Sequence, residues 1–388
     1  MPATPSTDPI ANARAISGAR AANAARRLAA RARLLALLLA ALLLALLSPL
    51  HHAARAQASG IDALLAPFES GAPLPPLLEG LPLEEGRAYA ILAQIMPPYT
   101  AYFGEPNSAR RALLRGINPF IVERAGTQLG HSFVGWRCAD GRFGLTGMTA
   151  DEDGATERML RNGWGLAALL SELQTGKLHA RDELTEGWLR ALQRRDAQAV
   201  AFEISPQACQ RMRRSLARYL THPNRPAQRF STIAEPSRMQ GASCASFARW
   251  LASEGGVFEG VPRALFWREV TLRDSFIGEA PEAPAAIVPF RMSARGVSPS
   301  EIGLLEMFFG DWTSGREVGQ VRFDDPELMI AALDRAYARA GQPREPRMPT
   351  HDAQARALEA EVDRWLSRYG RLTPVRMGRT RAVVMHRR

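Results

Sequence analysis

Apolar positions along this chain switch between a period of two and a period near 3.6, and the switches outline an α+β protein. Cys244, Phe247, Ala248 and Leu251 recur at i, i+3, i+4 and i+7. That spacing predicts a helix opened by Cys244 after the small, turn-forming run Gly241-Ala242-Ser243. Gly130 to Cys138 and Phe143 to Thr149 are apolar-alternating runs on either side of Asp140-Gly141, a strong hairpin signal. Pro119 to Arg124 is a third strand feeding that hairpin, so an antiparallel meander is expected. Ala199 to Ile204 and Leu265 to Leu272 are further strands. Ser205-Pro206 starts a helix to about Leu220, with serine as N-cap and proline at the first position. Its face of Cys209, Met212 and Leu216 points inward.

Other segments read as helical. Residues 57–116 form a proline-interrupted lead-in with one helix from Gly86 to Met96. Residues 155–198 form an amphipathic insertion, with Trp164, Leu166, Leu169, Leu170 and Leu173, then Trp188, Leu189 and Leu192, at its apolar positions. Residues 281–388 form a helical C-terminal subdomain beginning at a linker, Pro281 to Pro289. Ser298-Pro299-Ser300-Glu301 has the form of a capping box for a helix ending at Gly310. Asp325-Pro326 opens a second helix stopping at Gly341. The third carries Leu358, Val362, Trp365 and Tyr369 and stops at Gly370.

The first 56 residues fall outside this pattern. They are Ala- and Arg-rich up to Leu34–Leu47, an uninterrupted Leu/Ala run closed by Ser48-Pro49, and Ala54-Arg55-Ala56 follows. Basic stretch, apolar stretch and A-x-A-like site are the order of a signal peptide, and the run is shorter than the roughly 20 residues that span a bilayer. An exported, periplasmic or secreted protein is expected, touching the membrane only through its leader unless that stays uncleaved. The net charge of +10 includes seven arginines and one aspartate before Gln57, so 10 − 6 leaves about +4 for the mature chain. With no basic run interleaved with aromatics, nucleic acid is excluded as a partner.

Three cysteines, Cys138, Cys209 and Cys244, leave one unpaired in an oxidising compartment. A Cys138–Cys209 disulfide would leave Cys244 free. In the first turn of its helix the thiol meets the positive end of the macrodipole, which favours thiolate and lowers its pKa. His131, at the far end of the hairpin, is placed to face that helix terminus, and a cysteine with a nearby histidine is the minimal thiol-nucleophile pair. The imidazole-orienting third group stays open: Thr149 is favoured because it sits within the apolar strand opposite His131, with Asp151, Glu152 or a backbone carbonyl as alternatives. The backbone N–H of Cys244 is an oxyanion donor, with Gln240 a weaker candidate. The seven histidines are scattered, and neither metal nor cofactor is expected.

A Gly-His-small-aromatic stretch on a hairpin (Gly130-His131-Ser132-Phe133), followed by a small-residue turn into a helix-opening cysteine, resembles the circularly permuted branch of papain-like hydrolases. That branch includes NlpC-type envelope peptidases, lecithin:retinol-acyltransferase-like enzymes and periplasmic lipoprotein-transacylase-like domains. The histidine precedes the cysteine by 113 residues, the permuted order, and the resemblance covers about residues 117–255 within a domain of 117–280. Ser243 stands where the family often has asparagine before the cysteine. The resemblance implies a sheet packed on the Cys helix, Cys244 as nucleophile and His131 as general base and acid. The substrate would be an amide or ester of the envelope: a peptide, a cell-wall peptide or a lipid-linked acyl group. A catalytically silent papain-like fold serving as a binding module is the competing expectation.

Overall fold

The computed structural model describes residues 60–70, 74–97, 99–116, 118, 130–150, 154–183, 197–343, 348–377 and 380–388. Contacts divide the chain into residues 1–63 and 64–388, and the fold described here is that of the second unit. The expected leader, the strand at 119–124, the residues Asp151 and Glu152, and Trp188, Leu189 and Leu192 lie outside the described residues.

The protein is α+β. Its main sheet contains β1 (Ala88–Ile95), β2 (His131–Arg137), β3 (Phe143–Thr146), β7 (Ala197–Ile204), β11 (Tyr369–Met377) and β12 (Thr380–Arg387), in the order β11-β12-β7-β1-β2-β3. All neighbours are antiparallel except β12 and β7, which makes the sheet mixed. Shorter pairs join β4 (Met148–Ala150) to β6 (Gly176–Leu178) and β5 (Glu172–Leu173) to β9 (Ile287–Val288). A two-stranded ribbon joins β8 (Trp267–Arg273) to β10 (Glu317–Asp324). The helices used below are α1 (Pro106–Gly116), α2 (Ala155–Arg161), α3 (Ala167–Leu170), α4 (Pro206–Thr221), α5 (Cys244–Glu254), α6 (Leu304–Phe309), α7 (Pro326–Arg339) and α8 (Ala353–Leu366).

Three expectations are corrected. Residues 86–96 are not a helix: β1 lies between β2 and β7 and is buried at all eight positions. A strand covered on both faces loses its alternation and reads as a continuous apolar run. The C-terminal region is not wholly helical, because after α8 the chain turns into β11 and β12 and completes the main sheet. The insertion at 155–183 is likewise mixed, α2 and α3 giving way to β5 and β6. Within the C-terminal region, Ser298–Glu301 caps nothing. The Ile302 N–H donates to the carbonyl of Gly163, and helix begins only at Leu304.

Two apolar cores flank the region of interest. One lies against the sheet face of Ile91, Ala93, Phe133, Ala199 and Val384, covered by Leu78 and Leu81. On the other face α4, α5 and α7 pack against the strands, and Phe202 meets Trp365 of α8 at 5.2 Å. The second core gathers α2, α3 and the ribbon around Trp164, Phe276 and Trp312, the last two stacked at 5.4 Å. The Cys138–Cys209 disulfide, 71 residues apart in sequence, ties the end of β2 to α4 and leaves Cys244 a free thiol.

Candidate functional site

Cys244 opens α5 as its spacing predicts. Ser243 is the N-cap: its hydroxyl accepts from the Ser246 N–H, and the Ser246 hydroxyl accepts in return from the Ser243 N–H, a reciprocal capping box. Gly241 precedes it at φ 107°, where a Cβ would meet the Arg229 carbonyl oxygen at 2.4 Å. Only glycine lets the chain turn into the helix there. Phe247, Ala248 and Leu251 are fully buried, so the predicted apolar face seats the helix and fixes where its first residue sits.

β2 brings the other half. It pairs with β3 around Asp140-Gly141 from Arg137↔Phe143 to Val134↔Thr146. Continued, that register would set Thr149 opposite His131, but the ladder stops at Thr146 and β4 pairs instead with β6, Thr149 opposite Lys177. Gly147 marks the break: a Cβ there would meet the Ser132 carbonyl oxygen at 2.9 Å and the His131 Nε2 at 3.0 Å.

Cys244, His131 and Thr149 all line a single cavity of about 390 Å³, within the ordinary size of a small-molecule site. Most of its wall is apolar, supplied by Phe103, Leu166, Leu170, Phe230, Val270 and Phe323. Ser243 and Asp324 add polar groups. Asp324 is held by Arg249 of α5, which donates to both carboxylate oxygens. Gln240 is exposed in the turn before the helix and does not line the cavity. Among the described residues no cluster of three or more His, Cys, Asp or Glu could hold a metal ion.

The electrostatics differ from the helix-dipole expectation. Burial pushes the Cys244 thiol above its ordinary value, although the Ser132 backbone N–H and hydroxyl and the N–H groups of Ala245 and Cys244 itself pull the other way. Removing a thiolate from water costs more here than the helix terminus returns. His131 is pushed well below its ordinary value, first by burial and then by His179. At neutral pH the resting state is therefore a neutral thiol and a neutral imidazole.

Two residues escaped the sequence reading. Ser132 alternates with His131 on β2, so the two side chains leave opposite faces of the strand. Its backbone N–H and hydroxyl lie within hydrogen-bonding reach of the thiol, and the hydroxyl's single proton is given to Gln94 Oε1 of β1. Both residues are buried. His179 packs edge-on against His131 with ring centroids 5.5 Å apart, while Phe133 meets His131 at 4.5 Å. The His179 N–H donates to the Gly147 carbonyl and its own carbonyl accepts from Thr146 Oγ1, which fixes its backbone beside β2. Only the pairing of β4 with β6 brings His179 there, and no periodicity announces so short a pair. Ser132 was in plain view, but its contribution is partly a main-chain N–H, which residue type does not reveal. Comparisons with protein-family models, with curated proteins and with solved structures found no match.

Proposed function

We propose that the protein is an exported thiol-dependent acyl hydrolase or acyltransferase of the cell envelope, acting through a Cys244 thioester in a permuted papain-like arrangement. The observation that carries this reading is the convergence of Cys244, at a helix N-terminus, with His131 and Thr149 on one largely apolar cavity. The order of a histidine-bearing strand followed by a cysteine-bearing helix packed on it supports the permuted papain-like reading. The apolar wall favours a lipid-linked acyl group over a peptide as the part of the substrate held there.

In this reading an amide or ester places its acyl chain along the Leu166–Leu170–Val270 wall and its carbonyl near Cys244. Because His131 leaves β2 on the face opposite Ser132, its imidazole acts across the shared cavity. The sulfur bonds the carbonyl carbon as its proton passes through a water to His131, so charge develops only during attack and the neutral resting pair is the competent one. The N–H of Cys244, free of an intrahelical partner, receives the oxyanion. The C–N or C–O bond then breaks, the imidazolium returns the proton to the departing amine or alcohol, and the thioester remains. Water or a second amine or alcohol takes the acyl group and restores the thiol. Thr149 lines the same cavity and offers its hydroxyl to the bound substrate.

The test has two parts. Incubation with p-nitrophenyl esters of graded chain length, followed by intact mass, should give an acyl adduct on Cys244 that forms faster with longer chains and is absent in Cys244→Ala. Iodoacetamide labelling across pH should show one thiol whose reaction slows at neutral pH in His131→Ala. No adduct, together with labelling indifferent to His131, would overturn the enzyme reading in favour of a silent fold that binds an apolar ligand.

A further inference from the structure

We infer that α6 is a membrane-docking element that seats the protein on an anionic lipid surface. Most large apolar side chains of the described fold are buried, but α6 presents Leu304, Leu305, Phe308 and Phe309, which are 56, 77, 48 and 81 % exposed. Their positions at i, i+1, i+4 and i+5 put them on one side of the helix, while Met307 anchors the other side in the second core. An exposed cluster of two phenylalanines and two leucines is rare on a monomeric protein without a partner.

The surroundings point to the kind of partner. α6 packs on α1, and Arg110 of α1 donates to the Phe308 carbonyl, fastening the patch to that helix. The outer surface of α1 carries exposed Arg111 and Arg115, and α2 carries exposed Arg158 and Arg161. Glu301, Glu306 and Asp311 flank the patch along the chain, and Glu105 immediately precedes α1. Asp311 is engaged by Asn107 and Thr313, and Arg161 is paired with Glu157. Arginine around an apolar wedge is the pattern that binds an anionic bilayer interface, with rings and aliphatic chains below the headgroups and guanidinium groups among the phosphates. α1 also lines the reaction cavity through Ala109, and α2 through Ala155 and Thr156. The patch and the cavity therefore share a wall, and a protein seated on α6 would hold its acyl site one helix from the lipid. This purpose rests on the acyl-transfer reading, but the docking does not need the thiol.

The experiment uses the full chain in a Cys244→Ser background, with a nitroxide at Phe309→Cys or, as control, at the exposed Ala357→Cys of α8. The protein is mixed with vesicles of phosphatidylglycerol and phosphatidylethanolamine, and the collision of each label with oxygen and with a water-soluble nickel complex is measured. Label 309 should become oxygen-accessible and nickel-shielded while label 357 does not, whether or not the leader also anchors the chain. Arg111→Glu with Arg115→Glu should reduce the immersed fraction several-fold, as should replacing the lipid with phosphatidylcholine. Equal nickel access at 309 and 357 would overturn the proposal, as would spin–spin broadening at 309 without immersion, which would mean a second copy covers the patch. Melting curves matching the Cys244→Ser parent exclude misfolding. Because this background cannot form a thioester, docking can fail while the wild-type thiol still acylates, and acylation can fail while docking persists.

Discussion

Two polar clusters in the interior of this fold are built on opposite terms. In one, the Arg268 guanidinium sits between Asp325 and Asp352, at 2.9 Å from each. Those carboxylates are the N-caps of α7 and α8, accepting from the Glu327 and Ala355 N–H groups. A single cation thus pins two helix starts to the ribbon, and although burial pushes the Asp325 carboxyl up to about 6, it stays ionised at neutral pH. In the other, at Cys244 and His131, burial drives thiol and imidazole toward their neutral forms. In the first cluster burial is offset by ion pairing and the groups stay charged, whereas in the second burial outweighs the nearby donors and the groups rest neutral.

The comparison breaks most visibly at Arg268. Arg268→Leu strands two buried carboxylates, so an unfolding free energy lower by about 3–5 kcal/mol is expected in denaturant titration. Cys244 should still label at the wild-type rate under conditions where the variant is folded. Next in size is the pH dependence of stability. His131 titrates well below its unfolded value of about 6.5, so the unfolded state binds more protons as pH falls below 6.5. Stability should then drop by up to about 1.4 kcal/mol per pH unit from this group, and rise again with pH up to 6.5. His131→Gln should remove that portion of the slope; a slope unchanged from wild type between pH 6.5 and 5 would show the imidazole to be solvated.

Ser132→Ala sharpens the comparison from the thiol side. It deletes one donor within reach of a developing thiolate, a hydrogen bond to a charged group of about 1.5–3 kcal/mol. The midpoint of the iodoacetamide pH profile should move upward by about one to two units, with the melting temperature little changed. Thr149→Val is the smallest change: same shape, no hydroxyl. A few-fold slower acylation is expected, from a net hydrogen bond of about 1 kcal/mol, with no change in stability. An unaltered rate would remove Thr149 from the site and turn attention to His179.

Most of what positions Cys244 was legible locally. The Asp140-Gly141 turn, the Ser205-Pro206 start and the Asp325-Pro326 start all act within a few residues, and each forms as its chemistry requires. The odd cysteine count required one thiol to stay unpaired, but that Cys138 and Cys209 are the bonded pair is shown by the structure. Elements whose character is decided elsewhere were harder to read. The run 88–95 looks helical because packing on both faces of the sheet buries every position, and residues 369–377 and 380–387 become strands only by adding to a sheet edge begun far earlier. The site followed the same rule. Cys244 and His131 announce themselves by residue type, whereas the thiol's shifted pKa depends on burial that no local pattern encodes, and His179 arrives through a three-residue pairing.

The parallel seam between β12 and β7 sets Arg381 opposite Gln198, and it governs how this chain can acquire its shape. Residues 88–95 can pair with 131–137 and 197–204 early, but β7 keeps an open edge until residues 380–387 arrive. So distant a contact is slow to form, because the loop must close before pairing rewards it. The intermediate it leaves behind carries an unpaired apolar strand edge, the feature most prone to mispairing with another chain. Removing residues 380–387 should therefore reveal itself less as a weaker fold than as aggregation on refolding, since the missing strand serves as the chain's own stopper against its neighbours.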